Sequence, residues 1–252
     1  MGGVKEQTAG LHATKFVEEG FLILTFDTTY QCESHGKPRG LEDPNQQAED
    51  ARSAVTYLSM VSQVDPNHIS TLGICTSRGS MPFAAQTDVR IKAVAILSAA
   101  DVGALFHKDM KDTAMTCITE AKGDQPPDLP IVPDDPKNIP PDNPVLFREG
   151  SDYHHTPHTN HPQSTNQFPL QSYNLIINYS SYTFIDLISP HPLLMITESN
   201  TDSHYFSEDA IARAKEPKEL FLVPDQTHVG LYDDLSISFP KLLDFMTKSL
   251  AS

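Results

Sequence analysis

His68-Ile69-Ser70-Thr71-Leu72-Gly73-Ile74-Cys75-Thr76-Ser77 reads as an apolar strand that ends on a cysteine and passes into a helix start built of small residues. A sharp strand-to-helix turn that presents a nucleophile crowds the positions two before and two after it, so small residues are needed there. Gly73 and Ser77 meet that need. Taken alone, Cys75 reads first as core packing, because free cysteine behaves as a small hydrophobe and is among the most buried residue types.

Two later stretches change that balance. Leu193-Leu194-Met195-Ile196 reads as a buried strand followed by Ser199-Asn200-Thr201-Asp202, and Leu220-Phe221-Leu222-Val223 as another followed by Asp225-Gln226-Thr227-His228. Nucleophile, acid and base, each just past a strand and in that order, make a known triad arrangement. The candidate catalytic residues are therefore Cys75, Asp202 and His228. A register two residues on, Cys75-Thr76-Ser77-Arg78-Gly79, would make Ser77 the nucleophile, but the strand run ends at Cys75.

Helical and strand patterns alternate along the chain. Thr8 to Glu19 has helical character, Phe21 to Phe26 reads as a buried strand, and Glu49 to Val61 places Ala51, Ala54, Val55 and Leu58 on one helical face. Strands are expected at about 68–74, 93–98, 193–197 and 219–223, and a last helix from Phe239 to Leu250. The expected class is α/β: a mostly parallel sheet with helices on both faces, its ligands held beyond the carboxyl ends of the strands. Cys75, Asp202 and His228 all fall at those ends.

With 252 residues and a net charge of −15, the chain is most economically one domain, and its acidity argues against nucleic acid and anionic membranes as partners. It holds no apolar run of about 18 residues and no basic-then-apolar leader, so a cytoplasmic protein is expected. Cys32, Cys75 and Cys117 are few, odd in number and unpatterned, which indicates neither a disulfide framework nor a zinc site. The stretch His154-His155-Thr156-Pro157-His158-Thr159-Asn160-His161 invites a metal reading, but Pro157 and Pro162 keep a regular helix from aligning the imidazoles. No metal and no cofactor are expected.

The alternation breaks between 101 and 185. Val102 to Lys122 is a possible helix, Gln125 to Pro144 holds eight of the twenty prolines, and Phe168 to Phe184 again looks helical. Proline at that density excludes helix and central strand. Apolar residues threaded through it, such as Leu129, Ile131 and Val132, favour an ordered cap over a flexible linker. The chain thus divides into 1–100 (N-terminal part of the core), 101–185 (inserted cap) and 186–252 (C-terminal part of the core, with acid and base).

Gly3-Val4-Lys5-Glu6-Gln7-Thr8-Ala9-Gly10, Gly40-Leu41-Glu42-Asp43-Pro44, Val64-Asp65-Pro66, Gly73-Ile74-Cys75, Pro133-Asp134-Asp135-Pro136, Pro144 to Gly150 and Tyr205-Phe206-Ser207-Glu208-Asp209-Ala210 together resemble fungal α/β-hydrolases of the polyketide transferase and thiohydrolase family. The resemblance covers nearly the whole chain. It implies an α/β-hydrolase fold and release or transfer of an acyl chain, from the thioester of a polyketide synthase acyl carrier protein, through an acyl-cysteine at Cys75. The setting it implies is fungal secondary metabolism, mycotoxins included.

The chain departs from the family pattern where glycines normally follow the nucleophile, having Ser77-Arg78-Gly79-Ser80 instead, and Arg78 and Phe147 are candidate substrate contacts. In place of the family's own oxyanion loop, backbone donors of the stretch carrying Gly3 and Val4 are expected to form the oxyanion hole with the N–H of Thr76. Lys108, Lys111 and Arg148 join Arg78 as candidates for a basic patch facing an acidic carrier. Family members normally carry early strands ahead of Gly2-Gly3, so a sheet short of those strands is expected. Two alternatives stay open: a small ester or lactone hydrolase resembling dienelactone hydrolases, and a degenerate, non-catalytic synthase partner.

Overall fold

The computed structural model describes residues 2–75, 77–107, 114–124, 127–143, 145–201 and 203–251. Its central feature is a parallel sheet of β1 (Ile69–Ile74), β2 (Ile91–Leu97), β5 (Leu193–Glu198) and β6 (Lys218–Val223), in the order β1-β2-β5-β6. Successive side chains of a strand point to opposite faces. Val94 and Ile96 of β2, with Leu193 and Met195 of β5, enter one core beside Ala51 and Val55 of α2 (Pro44–Met60), Ala84 of α3 (Ser77–Ala85) and Phe206 of α8 (Tyr205–Arg213). Ala95, Leu97, Leu194 and Ile196 enter the opposite core beside Phe16 of α1 (Thr8–Glu18) and Leu242 and Met246 of α10 (Ser238–Leu250). Burial on both faces explains why β2 and β5 read as continuous apolar runs. This is the α/β-hydrolase fold the sequence leads one to expect.

Three expected elements differ. Phe21 to Phe26 runs without a strand ladder, and Leu22 is 51% exposed. A strand exists only where a neighbour takes its backbone hydrogen bonds, and among the described residues no segment lies in that position. The helix expected from Glu49 begins at Pro44, because Asp43 accepts the backbone N–H groups of Asn45 and Gln46 and proline suits the first helical turn. The helix expected over 168–184 shrinks to α7 (Ser172–Ile176). Phe168 belongs instead to β4 (Gln167–Pro169), which pairs antiparallel with β3 (Asp128–Pro130).

The remainder of 101–185 includes α4 (Val102–Phe106) and α5 (Ala114–Ala121), at the two ends of the helix expected over Val102 to Lys122, whose middle lies outside the described residues, and then α6 (Val145–His155). Lys108 and Lys111 lie outside the described residues. Val132 is buried and lies against Gly150 of α6, while Ser151 donates to the Pro133 carbonyl, so the Pro-rich strand and α6 share a contact face. Among the described residues no helix is long and apolar enough to cross a membrane.

Gly103 marks the tightest joint inside this segment, where α4 meets the backbone at the end of α7. A Cβ placed there would sit 1.9 Å from the Tyr179 carbonyl oxygen and 3.1 Å from that of Ile176. Backbone cannot yield as a side-chain tip can. Gly103→Ala is expected to lower stability by about 1–3 kcal/mol in urea unfolding, and an unchanged midpoint would show that the joint relaxes freely.

Candidate functional site

Cys75 follows the last residue of β1 and holds φ at +55°. For an L-residue this left-handed conformation is unfavourable, and it persists only where the surroundings enforce it. The enforcing groups are visible. Ser77 Oγ accepts the Ile74 N–H at 2.8 Å and donates to the Ile74 carbonyl at 2.7 Å, closing the turn across Cys75. That double engagement makes Ser77 a brace for the elbow and leaves the cysteine at its apex.

Cys75 is half-buried and lines a cavity of about 180 Å³ with Gly3, Val4, Thr8, Tyr153, His154 and Tyr232, among others. Thr8 of α1 ties two of these walls together: its N–H donates to the Tyr153 hydroxyl at 3.2 Å and its own hydroxyl to the Tyr232 carbonyl at 3.1 Å. Burial, with the charge of Asp233 second, pushes the Tyr153 phenol up to about 12. Burial likewise pushes His154 down to about 4, which leaves a neutral imidazole beside Cys75 near pH 7. Tyr153, His154 and Tyr232 gave no separate signal in the sequence, because their convergence depends on how α6 and α9 (Gly230–Asp233) dock.

His228 lies in the loop after β6 and is 1% exposed. Its Nδ1 is 3.0 Å from Oε1 of Glu198, the last residue of β5 and itself fully buried, and 3.3 Å from Ser203 Oγ. Ser98, just past β2, donates to the His228 carbonyl at 3.4 Å, and the imidazole meets the Tyr232 ring edge-on at 5.6 Å. The ends of β2, β5 and β6 thus all contribute to holding one imidazole.

The expected residues fare differently. Gly3 and Val4 line the cavity, but the Val4 N–H donates to Gln7 Oε1 at 2.9 Å. Thr76 and Asp202 lie outside the described residues, as does the side chain of Arg78, whose backbone is in the first turn of α3. Phe147 is 37% exposed and does not line the cavity. It is one position off the inward stripe of Leu146, Gly150 and Tyr153, whose three- and four-residue steps keep one helix face. Arg148 is exposed and reaches the carbonyls of Pro141 and Asn143. The histidines of 154–161 turn to separate partners, among them Ser164 for His154, the Ser151 carbonyl for His155 and Asp233 for His158. Glu198, the last residue of β5, carries no signature of its own in the sequence beyond standing four residues before the expected acid Asp202.

No protein-family model matches the chain. It is 32% identical to the uncharacterized protein YcjY of Escherichia coli K12 over 92% of this chain and 79% of that protein. It is 35% identical to the uncharacterized protein PA2218 of Pseudomonas aeruginosa over 99% of this chain and 71% of that protein. The crystal structure of PA2218 superposes with a TM-score of 0.90, covering 99% of this chain and 82% of that one. The polyketide transferase grgF of Penicillium sp. is 26% identical over 94% of this chain and 81% of its own length. The crystal structure of that α/β hydrolase superposes with a TM-score of 0.84 at 24% identity, covering 100% of this chain and 88% of that one.

The enforced backbone of Cys75 makes a prediction that needs no substrate. Glycine adopts φ +55° without steric cost, whereas alanine retains the Cβ. Cys75→Gly is therefore expected to be more stable than Cys75→Ala by about 1 kcal/mol in thermal or urea unfolding. Equal stability would mean that the elbow stores no strain.

Proposed function

This chain belongs to the α/β-hydrolase family of YcjY and PA2218, and from that premise we propose that it is an enzyme that moves acyl groups from thioesters through an acyl-cysteine on Cys75. The observation that carries the reading is Cys75 at φ +55° on the β1–α3 elbow, opening into the same cavity as the Gly3–Val4 loop. The name of the relative grgF, a polyketide transferase, supports polyketide-type acyl chains and an acyl carrier protein as donor. The fungal setting belongs to this same reading and rests on distant relatives of that kind.

The chemistry balances in two steps. His228 takes the Cys75 thiol proton, Sγ attacks the thioester carbonyl, the carbon–sulfur bond to the carrier breaks, and the carrier thiolate leaves with the proton from His228. Thiol-for-thiol exchange is nearly isoenergetic, so the first step needs no strong driving force. Water or an alcohol then gives its proton to His228 and attacks the acyl-cysteine, and the departing Cys75 thiolate regains it. Backbone donors from Thr76 and the Gly3–Val4 loop serve the oxyanion, with Gln7 yielding the Val4 N–H. Asp202 is the orienting acid by chain order, and Glu198 is the buried carboxylate against Nδ1.

A second reading, hydrolysis of a small ester or lactone, is favoured by one observation, the modest cavity of about 180 Å³. Turnover of short lactones with none of carrier-bound thioesters would select it.

The test is intact-mass detection of an acyl adduct. Wild type should carry it after incubation with an acyl thioester, Ser77→Ala, which loosens the elbow, should still carry it but form it more slowly, and Cys75→Ala should lose it. An adduct that survives Cys75→Ala rejects the assignment. Asp202→Asn is expected to lower kcat by roughly 10²-fold or more while the fold persists. If it leaves kcat alone and Glu198→Gln causes that loss, the orienting role passes to Glu198.

A further inference from the structure

The cavity at Cys75 has two unlike walls. Tyr153, His154 and Tyr232 form one beside the thiol, while the other comes from the segment 26–47 and includes Asp27, Glu42 and Gln47. Both carboxylates of the second wall are shielded from solvent, but they are answered differently. Asp27 accepts from Lys5, through the backbone N–H at 3.0 Å and through Nζ at 2.9 Å. Glu42 is 4% exposed, and its Oε2 accepts from Gln47 Nε2 at 2.7 Å. Among the described residues this is the one hydrogen bond of the Glu42 side chain, and no cation pairs with it.

A carboxylate offers about four lone-pair sites and no donor in its ionised form. Burying it with a single neutral partner is costly unless further donors reach it. Glu42 borders the cavity, so a guest with a donor group satisfies it, a guest carboxylate is repelled, and a plain hydrocarbon gains nothing from that wall. The volume sets how much of a guest the cavity itself holds. An apolar cavity of about 150 Å³ holds a benzene molecule, so about 180 Å³ admits a group of roughly six to eight non-hydrogen atoms.

We propose that the acyl group received at Cys75 is a short hydroxyacyl chain whose hydroxyl donates to Glu42, with Gln47 holding that carboxylate in place. This rests on the acyl-cysteine reading and adds its substrate class. Glu42 is then a specificity residue, and it acts on the acyl chain at a point removed from the reacting carbonyl. A site built to hydrogen-bond a substrate hydroxyl discriminates strongly against the analogue that lacks it, because the site's own group is left unpaired.

The probes are N-acetylcysteamine thioesters of hexanoate and of 3-, 4- and 5-hydroxyhexanoate, assayed on the full chain by thiol release and by intact mass at Cys75. Wild type should prefer at least one hydroxylated chain over hexanoate by tenfold or more in kcat/KM. That ratio should fall several-fold in Glu42→Gln and approach one in Glu42→Leu, with each variant's folding checked by thermal melting. If Glu42→Leu does not fold, the wild-type ratio and Glu42→Gln still decide. Turnover with no preference for any hydroxyl position, or a preference unchanged in the folded variants, overturns this inference alone. Absence of both adduct and turnover with all four thioesters overturns the acyl-cysteine reading and this inference with it.

Discussion

Holding a non-glycine residue at φ +55° costs about 1–2 kcal/mol, and Cys75 remains there because both sides of the turn are fixed. On one side β1 is locked in register with β2, from Ile69 opposite Ile91 to Ile74 opposite Leu97. On the other, α3 packs against β1 and α2, and Ser77 brackets the backbone of Ile74. Releasing either side would let the cysteine relax into an ordinary conformation and turn its thiol from the cavity. The sheet therefore does more than supply a core. It is the clamp that keeps a strained residue directed into the cavity.

The same parallel sheet explains why the other groups arrive at one end. Parallel strands all finish on the same side, so Cys75 after β1, Ser98 after β2, Glu198 closing β5 and His228 after β6 converge although 153 positions separate the first from the last. His228 is then restrained from several directions: Glu198 and Ser203 at Nδ1, Ser98 at its carbonyl, Tyr232 against its ring. An imidazole so enclosed has little rotamer freedom left to lose when a reaction begins, which is what preorganisation means physically.

This logic also sets what the sequence could disclose. Strands buried on both faces write themselves as uninterrupted apolar runs, and those near 69–74, 91–97, 193–198 and 218–223 were legible within two residues. The run Phe21 to Phe26 has the same composition but lacks the ladder that makes a strand, a property of its neighbours and absent from its own residues. The segment 168–184 misled for a related reason: its apolar spacing suits a helix, yet Phe168 is claimed by the β3–β4 pair and Pro169 cannot donate inside a helix. At the site, the cysteine elbow and the late histidine carry local signatures. Tyr153 does not, and the stretches that contain His154 and Glu42 say nothing of a cavity wall, because such a wall is made by docking and no periodicity encodes which residue of 101–185 meets which loop.

Docking of that kind ties α6 to its neighbours through a small set of side chains. Tyr153 on α6, Thr8 on α1 and Tyr232 on α9 are linked by the Thr8 hydrogen bonds and by the edge-on contact of the two tyrosine rings, 5.5 Å apart. Gln7 adds a bond from its side chain to the Thr159 carbonyl at 2.8 Å, beside the loop whose Val4 N–H it also occupies. Movement of α6 away from the core would thus strain the Thr8 and Gln7 bonds together. It would loosen the glutamine that holds the Val4 N–H. The chain leaving α6 and the Val4 N–H are therefore coupled through a single side chain, Gln7, which holds both.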